Sequence, residues 1–143
     1  MDRLIDVVTA LTPSVSARDL VVLSISSYSG DSQFNTRANI SWKRSSNMYG
    51  QFSVLYNRLD LTGLERTVYH TNETKASDLI TKINVTPITT YERFDGTRNV
   101  YLEKDDIVDI NIVTGINRPS FIMIPIVSSS KLFLGQLKVN LLS

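Results

Sequence analysis

The chain has 143 residues, 15 of them basic and 14 acidic, and it contains no cysteine. The length fits a single domain, residues 1–143, and the composition excludes disulfides and thiolate metal sites. A near-neutral charge without a basic stripe argues against nucleic-acid binding. The longest apolar run, from Phe121 to Val127, contains Pro125 and is too short to cross a bilayer, so we expect no membrane partner.

One pattern occurs twice: an amphipathic helix, a Thr-Pro turn, a polar turn, and an acidic residue that opens a strand. The two copies lie at about residues 2–26 and 76–113, and the second has an insertion. Apolar residues spaced by three and four positions predict short helices over residues 2–11 and 74–84. Such an internal pseudo-repeat describes a scaffold and provides no reactive group.

Alternating apolar and polar residues predict half-buried strands. In the first strand, Val21, Leu23 and Ile25 are expected to face the core. Near residues 57–58 the apolar phase changes, which predicts either a β-bulge or a strand that changes its packing partner. The predicted strands are residues 20–26, 37–43, 51–61, 107–113, 120–127 and 132–142. The expected class is α+β, predominantly antiparallel β with sandwich-like sheets and two short helices.

The segment from Phe121 to Val127 is apolar on both faces. It is either a central strand that is covered on both sides or a strand that presents one face to another subunit. Pro125 cannot donate a ladder hydrogen bond, so it favours an edge or a bulge. The candidate subunit interface consists of Phe121, Ile122, Ile124, Pro125 and Ile126.

Three polar segments are predicted to project as loops: residues 29–31, 45–50 and 91–99. The Asp-Gly pair at 95–96 is a strong turn signal, so the third segment reads as a small hairpin or a projecting loop. Residues in such loops meet solvent or partners. The candidates are Ser29, Asp31, Asn47, Tyr49, Asp95 and Arg98.

Few groups are available for catalysis. His70 is the only histidine, and neither a Gly-x-Ser-x-Gly elbow nor a glycine-rich phosphate loop is present. The acidic cluster between Glu103 and Asp109 lacks the spacing of a calcium loop and is predicted to be solvated. We therefore predict no catalytic, cofactor-binding or metal-binding residue and no cofactor. A small hydrolase that uses His70 remains the enzyme alternative.

A carbohydrate-binding or host-surface-binding β module is a further alternative. It would use exposed aromatic side chains as a platform for sugar rings. Trp42 and Tyr56 are in phase with core positions, so packing is the favoured interpretation for them. The dispersed aromatic residues are Tyr28, Trp42, Tyr49, Tyr56, Tyr91 and Tyr101.

The repeated helix, turn and strand pattern, together with Phe52-Ser-Val-Leu-Tyr-Asn-Arg-Leu-Asp-Leu61, resembles an uncharacterised family of virion structural proteins. That family belongs to tailed bacteriophages with contractile tails, the myovirus-like phages. The resemblance covers about residues 35–113. Some family copies occur inside longer proteins, whereas we expect the domain of this chain to stand alone.

The resemblance implies a non-enzymatic structural role in the virion, after assembly in the host cytoplasm. The implied partners are other virion structural proteins, and we expect a homo-oligomer or an ordered multi-copy array. A position in the tail, baseplate or neck is favoured over capsid decoration, which remains an alternative. No cofactor is implied.

Overall fold

The computed structural model describes residues 3–9, 19–43 and 50–143. The helical elements are α1 (Arg3–Val8) and a 3-10 turn (Ala76–Leu79) that continues into α2 (Ile80–Ile83). The strands are β1 (Leu20–Ser27), β2 (Thr36–Trp42), β3 (Gln51–Tyr56), β4 (Leu59–Asp60), β5 (Glu65–Tyr69), β6 (Thr89–Arg93), β7 (Gly96–Val100), β8 (Phe121–Pro125), β9 (Phe133–Leu134) and β10 (Gln136–Leu142). Two further 3-10 turns are Lys104–Asp106 and Gly115–Asn117.

The predicted fold class is confirmed: the strands are mostly antiparallel, and two short helices accompany them. The described chain forms two compact units, and the single domain over residues 1–143 stays a prediction. Unit 1 holds the described residues up to Arg58 together with Thr90–Arg98. Unit 2 holds Leu59–Thr89 and Asn99–Ser143.

Unit 1 is built on a three-stranded antiparallel sheet in the order β1-β2-β3. The alternation predicted for the middle strand is confirmed, because Ala38 and Ile40 are completely buried. Trp42, on the same face of β2, lies 6.5 Å from the ring of Phe52 in a tilted arrangement. Leu4 and Ile5 of α1 are also buried, so the helix contributes its apolar face to the core of this unit.

The face predicted for β1 is wrong. The register shifts between Val22 and Ser24, so Leu23 has no partner on β2. A bulge of this kind moves the following side chains to the other face. Leu20 and Val22 therefore share the inner face with Ile25, whereas Val21 and Leu23 are exposed.

The phase change near residues 57–58 marks a change of packing partner. β3 pairs with β2 in unit 1, but β4 pairs in parallel with β9 in unit 2. Arg58 precedes the change and is buried in unit 1, where its Nε donates to Thr36 Oγ1 at 2.9 Å. One of the two alternatives left open by the sequence is thus confirmed.

Unit 2 contains a second three-stranded sheet in the order β5-β10-β8. β10 is central; it runs parallel to β5 and antiparallel to β8. Alternate residues of the three strands point into the core of the unit. The buried apolar residues of unit 2 include Leu61, Val68, Leu79, Ile83, Leu102, Ile112, Ile122, Ile124, Phe133, Leu137, Val139 and Leu141.

Two strands predicted near the end of the chain are corrected. Residues 107–113 form isolated bridges, Ile107 with Ile126 and Asn111 with Lys75, and no regular strand. The second copy of the pseudo-repeat therefore keeps its helix but lacks its strand. The predicted strand 132–142 is divided at Gly135, which has a φ of 85° and separates β9 from β10.

Candidate functional site

The solvent-facing side of the sheet in unit 2, called the outer face here, alternates with the buried side. Its members come from all three strands, since residues opposite one another in a sheet share a face. They are Glu65, Thr67 and Tyr69 of β5, Lys138, Asn140 and Leu142 of β10, and Phe121, Met123 and Pro125 of β8.

A lysine in the middle of the outer face joins the three strands. Lys138 Nζ lies 3.2 Å from Glu65 Oε1 on one side and 4.7 Å from the centre of the Phe121 ring on the other. A cation over an aromatic ring at an exposed site contributes about 0.5–1 kcal/mol. Lys138 therefore holds the exposed Phe121 ring against the sheet.

Large apolar side chains on the outer face are open to solvent. Tyr69 is 68% exposed, Phe121 46% and Leu142 42%. Isolated exposed apolar residues are ordinary, whereas several on one sheet face indicate an interaction surface. Thr67 and Asn140 provide hydroxyl and amide groups between the aromatic residues.

The backbone of β8 pairs with β10 through alternate residues. At one end the Leu141 N–H donates to the Ser120 carbonyl at 2.8 Å, and at the other the Ile126 N–H donates to the Gly135 carbonyl at 3.0 Å. In an antiparallel strand, both main-chain groups of a residue point to the same side, and successive residues alternate. The main-chain N–H and C=O groups of even-numbered residues from 120 to 126 therefore point to β10. Those of the odd-numbered residues point away from it.

The side of β8 that faces away from β10 is open over two residues. Pro125 has no N–H, and its carbonyl accepts the Val108 N–H at 2.9 Å. β8 is the outermost strand of its sheet, and within the described part of the chain no other backbone bonds to the outward groups of Phe121 or Met123. We call these outward N–H and C=O groups of Phe121 and Met123 the β8 edge. Such groups can pair with a further strand.

The predicted interface residues divide into two sets. Ile122 is 8% exposed and Ile124 is completely buried, so the side chains of both belong to the core of unit 2. Ile126 is half-buried and forms a bridge with Ile107. Phe121 is exposed, and Pro125 lies at the end of an edge strand, as its lack of an N–H predicts. The Ile122 and Ile124 side chains lie on the inner face of the sheet. Their burial there is the physical reason why the predicted interface is corrected.

The predicted projecting loops are exposed where the structure describes them. Ser29 and Asp31 lie in the exposed connection between β1 and β2. Asp95 and Arg98 lie at the exposed tip of the β6–β7 hairpin, and Arg98 Nη2 is 2.8 Å from Asp95 Oδ2. Asn47 and Tyr49, the other predicted loop residues, lie outside the described part of the chain.

The hairpin is attached to α1 within unit 1 by polar contacts. The Tyr91 hydroxyl donates to the Asp6 carboxylate, which also pairs with Arg93 Nη1. Burial raises the pKa of Tyr91 to about 12, and the hydrogen bond to Asp6 acts in the same direction. Arg93 Nη1 also donates to the Asp6 carbonyl at 3.0 Å. We interpret these contacts as structural, because the Asp6 carboxylate and the Arg93 guanidinium neutralise each other.

His70 follows β5 and is almost completely buried. Its Nε2 lies 2.8 Å from the Glu73 carbonyl oxygen, which can only accept, so Nε2 carries the proton. Nδ1 is buried and has no hydrogen-bond partner among the described residues. His70 is therefore a packed residue of a turn, and its Nε2–H donates to a main-chain carbonyl.

The Glu73 carboxylate closes the same turn. Its Oε1 lies 2.5 Å from Lys82 Nζ, and its Oε2 accepts the Thr71 N–H at 2.9 Å. The hydrogen bond from Lys82 is the main cause that lowers the Glu73 pKa to about 2. Lys82 also donates to the Tyr69 carbonyl at 2.6 Å, so the turn is tied to the end of β5.

We expect Glu73→Gln to remove part of the acid sensitivity of unit 2. A carboxyl group whose pKa falls on folding stabilises the fold above its ordinary pKa near 4.5, and this contribution is lost as the pH falls toward 2. Lys82 is 36% exposed, so solvent screening limits the effect to about 1 kcal/mol. The free energy of unfolding in urea at pH 6 and pH 3 measures it. Asp78→Asn, an exposed carboxylate on the adjoining 3-10 turn, controls for the loss of one surface charge.

The carboxylates of the acidic cluster differ in burial and in their hydrogen bonds. The Asp109 carboxylate accepts the Ser77 N–H at 2.8 Å and the Ser77 hydroxyl at 2.9 Å, which lowers its pKa. Asp105 is exposed as expected, but Asp106 is buried and accepts hydrogen bonds, which corrects the prediction of a fully solvated cluster. In residues 3–9, 19–43 and 50–143, no group of three or more acidic or histidine side chains could hold a metal ion.

Sequence reasoning missed three residues of interest. Tyr69 and Leu142 end their strands at the outer face, and the mixed composition of β5 gave no strand signal there. Arg58 is buried at the change between sheets, where a charged residue beside a phase change was the available hint.

No helix of the described chain is long and apolar enough to cross a membrane.

Comparison of this chain with protein families, with curated proteins and with solved structures found no match.

Proposed function

We propose that this chain is a non-enzymatic structural subunit of the virion of a tailed bacteriophage. The position that we favour is the tail, baseplate or neck, with capsid decoration as the alternative. Support comes from the family resemblance over residues 35–113 and from the α+β architecture. The proposed partners are other virion structural proteins, and the proposed location is the assembled particle.

The observation that carries the proposal is the open β8 edge next to the apolar part of the outer face. The edge offers main-chain groups to a further strand, and Phe121 stands beside it, 46% exposed. Together they provide both hydrogen bonds and apolar area for an assembly contact. The polar turn that contains His70 and the acidic cluster offers no comparable set of reactive groups.

A carbohydrate-binding or host-surface-binding module is the second candidate function. The observation that favours it is the pair of exposed rings, Tyr69 and Phe121, on one sheet face. Thr67 and Asn140 lie between them and could bond sugar hydroxyls. Tyr69→Ser would then abolish retention on host polysaccharide, whereas an assembly subunit would not be retained on that matrix at all.

The proposed function predicts that the purified chain co-sediments with particles of the contractile-tailed phage that encodes it. The double variant Tyr69→Ser with Phe121→Ser should reduce the bound fraction at least tenfold, because it removes the apolar contact area of the outer face. Sedimentation of labelled chain with separated tails and capsids measures the binding and distinguishes the two virion positions.

Val85→Ser is the matched control for this experiment. Val85 is 83% exposed in unit 2 but lies outside the outer face, so its loss should leave binding unchanged. A chain that binds neither tails nor capsids at any concentration would contradict the proposed function.

A further inference from the structure

We propose that the β8 edge is a self-pairing site, at which β8 of a second copy of this chain adds antiparallel with its centre at Ile122. The proposal rests on the proposed function, because it names the partner of the assembly surface. It places the two three-stranded sheets in one continuous six-stranded sheet. The contact is isologous, with a two-fold axis between the two Ile122 residues.

The donor and acceptor pattern of the edge is self-complementary. In an antiparallel pair centred on residue 122, Phe121 of each copy lies opposite Met123 of the other. Each such pair exchanges both of its main-chain hydrogen bonds. Four hydrogen bonds form, and they use every open group of both edges. A centre at Phe121 or Met123 would leave open groups without partners.

Two prolines limit the partner. Pro119 and Pro125 lie three residues before and three residues after Ile122. In an antiparallel copy with the same centre, Pro119 of one copy comes toward Pro125 of the other, where Val108 already donates to the Pro125 carbonyl, so the two strands pair over residues 121–123 and diverge beyond them. The prolines also prevent the backbone pairing between the two strands from extending further along them.

The side chains agree with the same register. Phe121 and Met123 lie on the same outer face of β8, so the pairing brings the Phe121 ring of one copy against Met123 of the other. Sulfur–aromatic contacts of this type contribute about 0.3–1.5 kcal/mol each. The ring is already held by Lys138 Nζ at 4.7 Å, which reduces the ordering that pairing requires. On the opposite face, the two buried Ile122 side chains extend the apolar core.

Cysteine cross-linking tests this register directly, since the chain has no native cysteine. Phe121→Cys and Met123→Cys are made as separate chains. Residues in a hydrogen-bonded antiparallel pair have Cα atoms about 5.5 Å apart, within reach of a disulfide. Identical positions across the two-fold axis are about 8 Å apart, from the strand spacing and the two-residue offset, which is beyond that reach.

A mixture of the two variants should therefore form a disulfide-linked dimer under mild oxidation, and each variant alone should form at least tenfold less. Equal cross-linking in the single-variant samples would overturn the proposed register. Absence of any cross-link in the mixture would overturn self-pairing at this edge. Wild-type chain that still binds phage tails in either case would leave the proposed function standing, so the two failures are distinguishable.

Met123→Pro provides an independent test without oxidation. The Met123 N–H points to the free edge, so proline removes a donor for the second copy and keeps the ladder with β10. The variant should be monomeric by sedimentation velocity where the wild-type chain is dimeric, with an unchanged far-ultraviolet circular dichroism spectrum. Met123→Leu keeps the N–H and should remain dimeric. A folded, dimeric Met123→Pro variant would overturn the proposal.

Discussion

Ile40→Asp should unfold the sheet of unit 1, whereas Ser41→Asp on the opposite face of the same strand should leave it folded. Ile40 is completely buried between its β1 and β3 neighbours. A carboxylate there has no partner and must either stay charged in an apolar site or take up a proton. We expect a loss of more than about 4 kcal/mol for Ile40→Asp, and a change within about 1 kcal/mol for Ser41→Asp.

The single tryptophan makes the measurement specific to unit 1. Trp42 lies on the inner face of β2, half-buried beside Phe52, so its fluorescence reports the state of this sheet. Ile40→Asp should shift the emission to that of solvated tryptophan in the absence of denaturant. Similar spectra for both variants would contradict the assignment of the two faces of β2.

Asp106→Ala is expected to have the second largest effect, this time in unit 2. The Asp106 carboxylate is 1% exposed, and it accepts the Ser130 hydroxyl at 2.7 Å and the Glu103 N–H at 2.8 Å. Alanine would leave the buried Ser130 hydroxyl and the part-buried Glu103 N–H without this acceptor. We expect a loss of about 2–4 kcal/mol, because unpaired buried polar groups keep their full desolvation cost.

The neighbouring Asp105→Ala is the matched control. Asp105 is exposed and lies in the same 3-10 turn, so its loss should change stability by less than about 0.5 kcal/mol. Urea unfolding followed by circular dichroism gives both free energies, and amide hydrogen exchange in β8 and β10 locates the change in unit 2. Comparable losses for the two variants would show that the buried carboxylate is not what stabilises the turn.

Several parts of the fold follow from the sequence because local pattern and burial agree. Apolar residues at helical spacing around Leu79 and Ile83 place the second helical segment, and both are buried. The alternation through Ala38 and Ile40 identifies both the strand and its inner face. In each case the period of the side chains decides which residues are removed from water.

Other parts could not be read because they depend on contacts between distant residues. Nothing in residues 107–113 shows that their partners are single residues, Ile126 and Lys75, and not a full strand. The bulge at Leu23 depends on the register with β2, which the pattern of β1 alone does not determine.

The candidate site was predictable only in part. Pro125 indicated an edge strand, and the structure places β8 at the edge of its sheet. The mistake concerned the side chains: Ile122 and Ile124 are equally apolar whether they pack inside the chain or against a partner. The usable groups of the edge are main-chain N–H and C=O groups, which every residue carries and which no residue pattern distinguishes.

Because β10 is both the last strand of the chain and the central strand of its sheet, we expect the sheet of unit 2 to form later than the sheet of unit 1. In unit 1 the strands lie in the sheet in their chain order, so each pairs with a neighbour in sequence. In unit 2, Glu65 must meet Lys138, a separation of 73 positions, before the sheet exists. Closing so long a segment is entropically costly and slows folding. During synthesis, the β8 edge therefore forms after the sheet of unit 1, which limits the time for which an unfinished chain can pair with another.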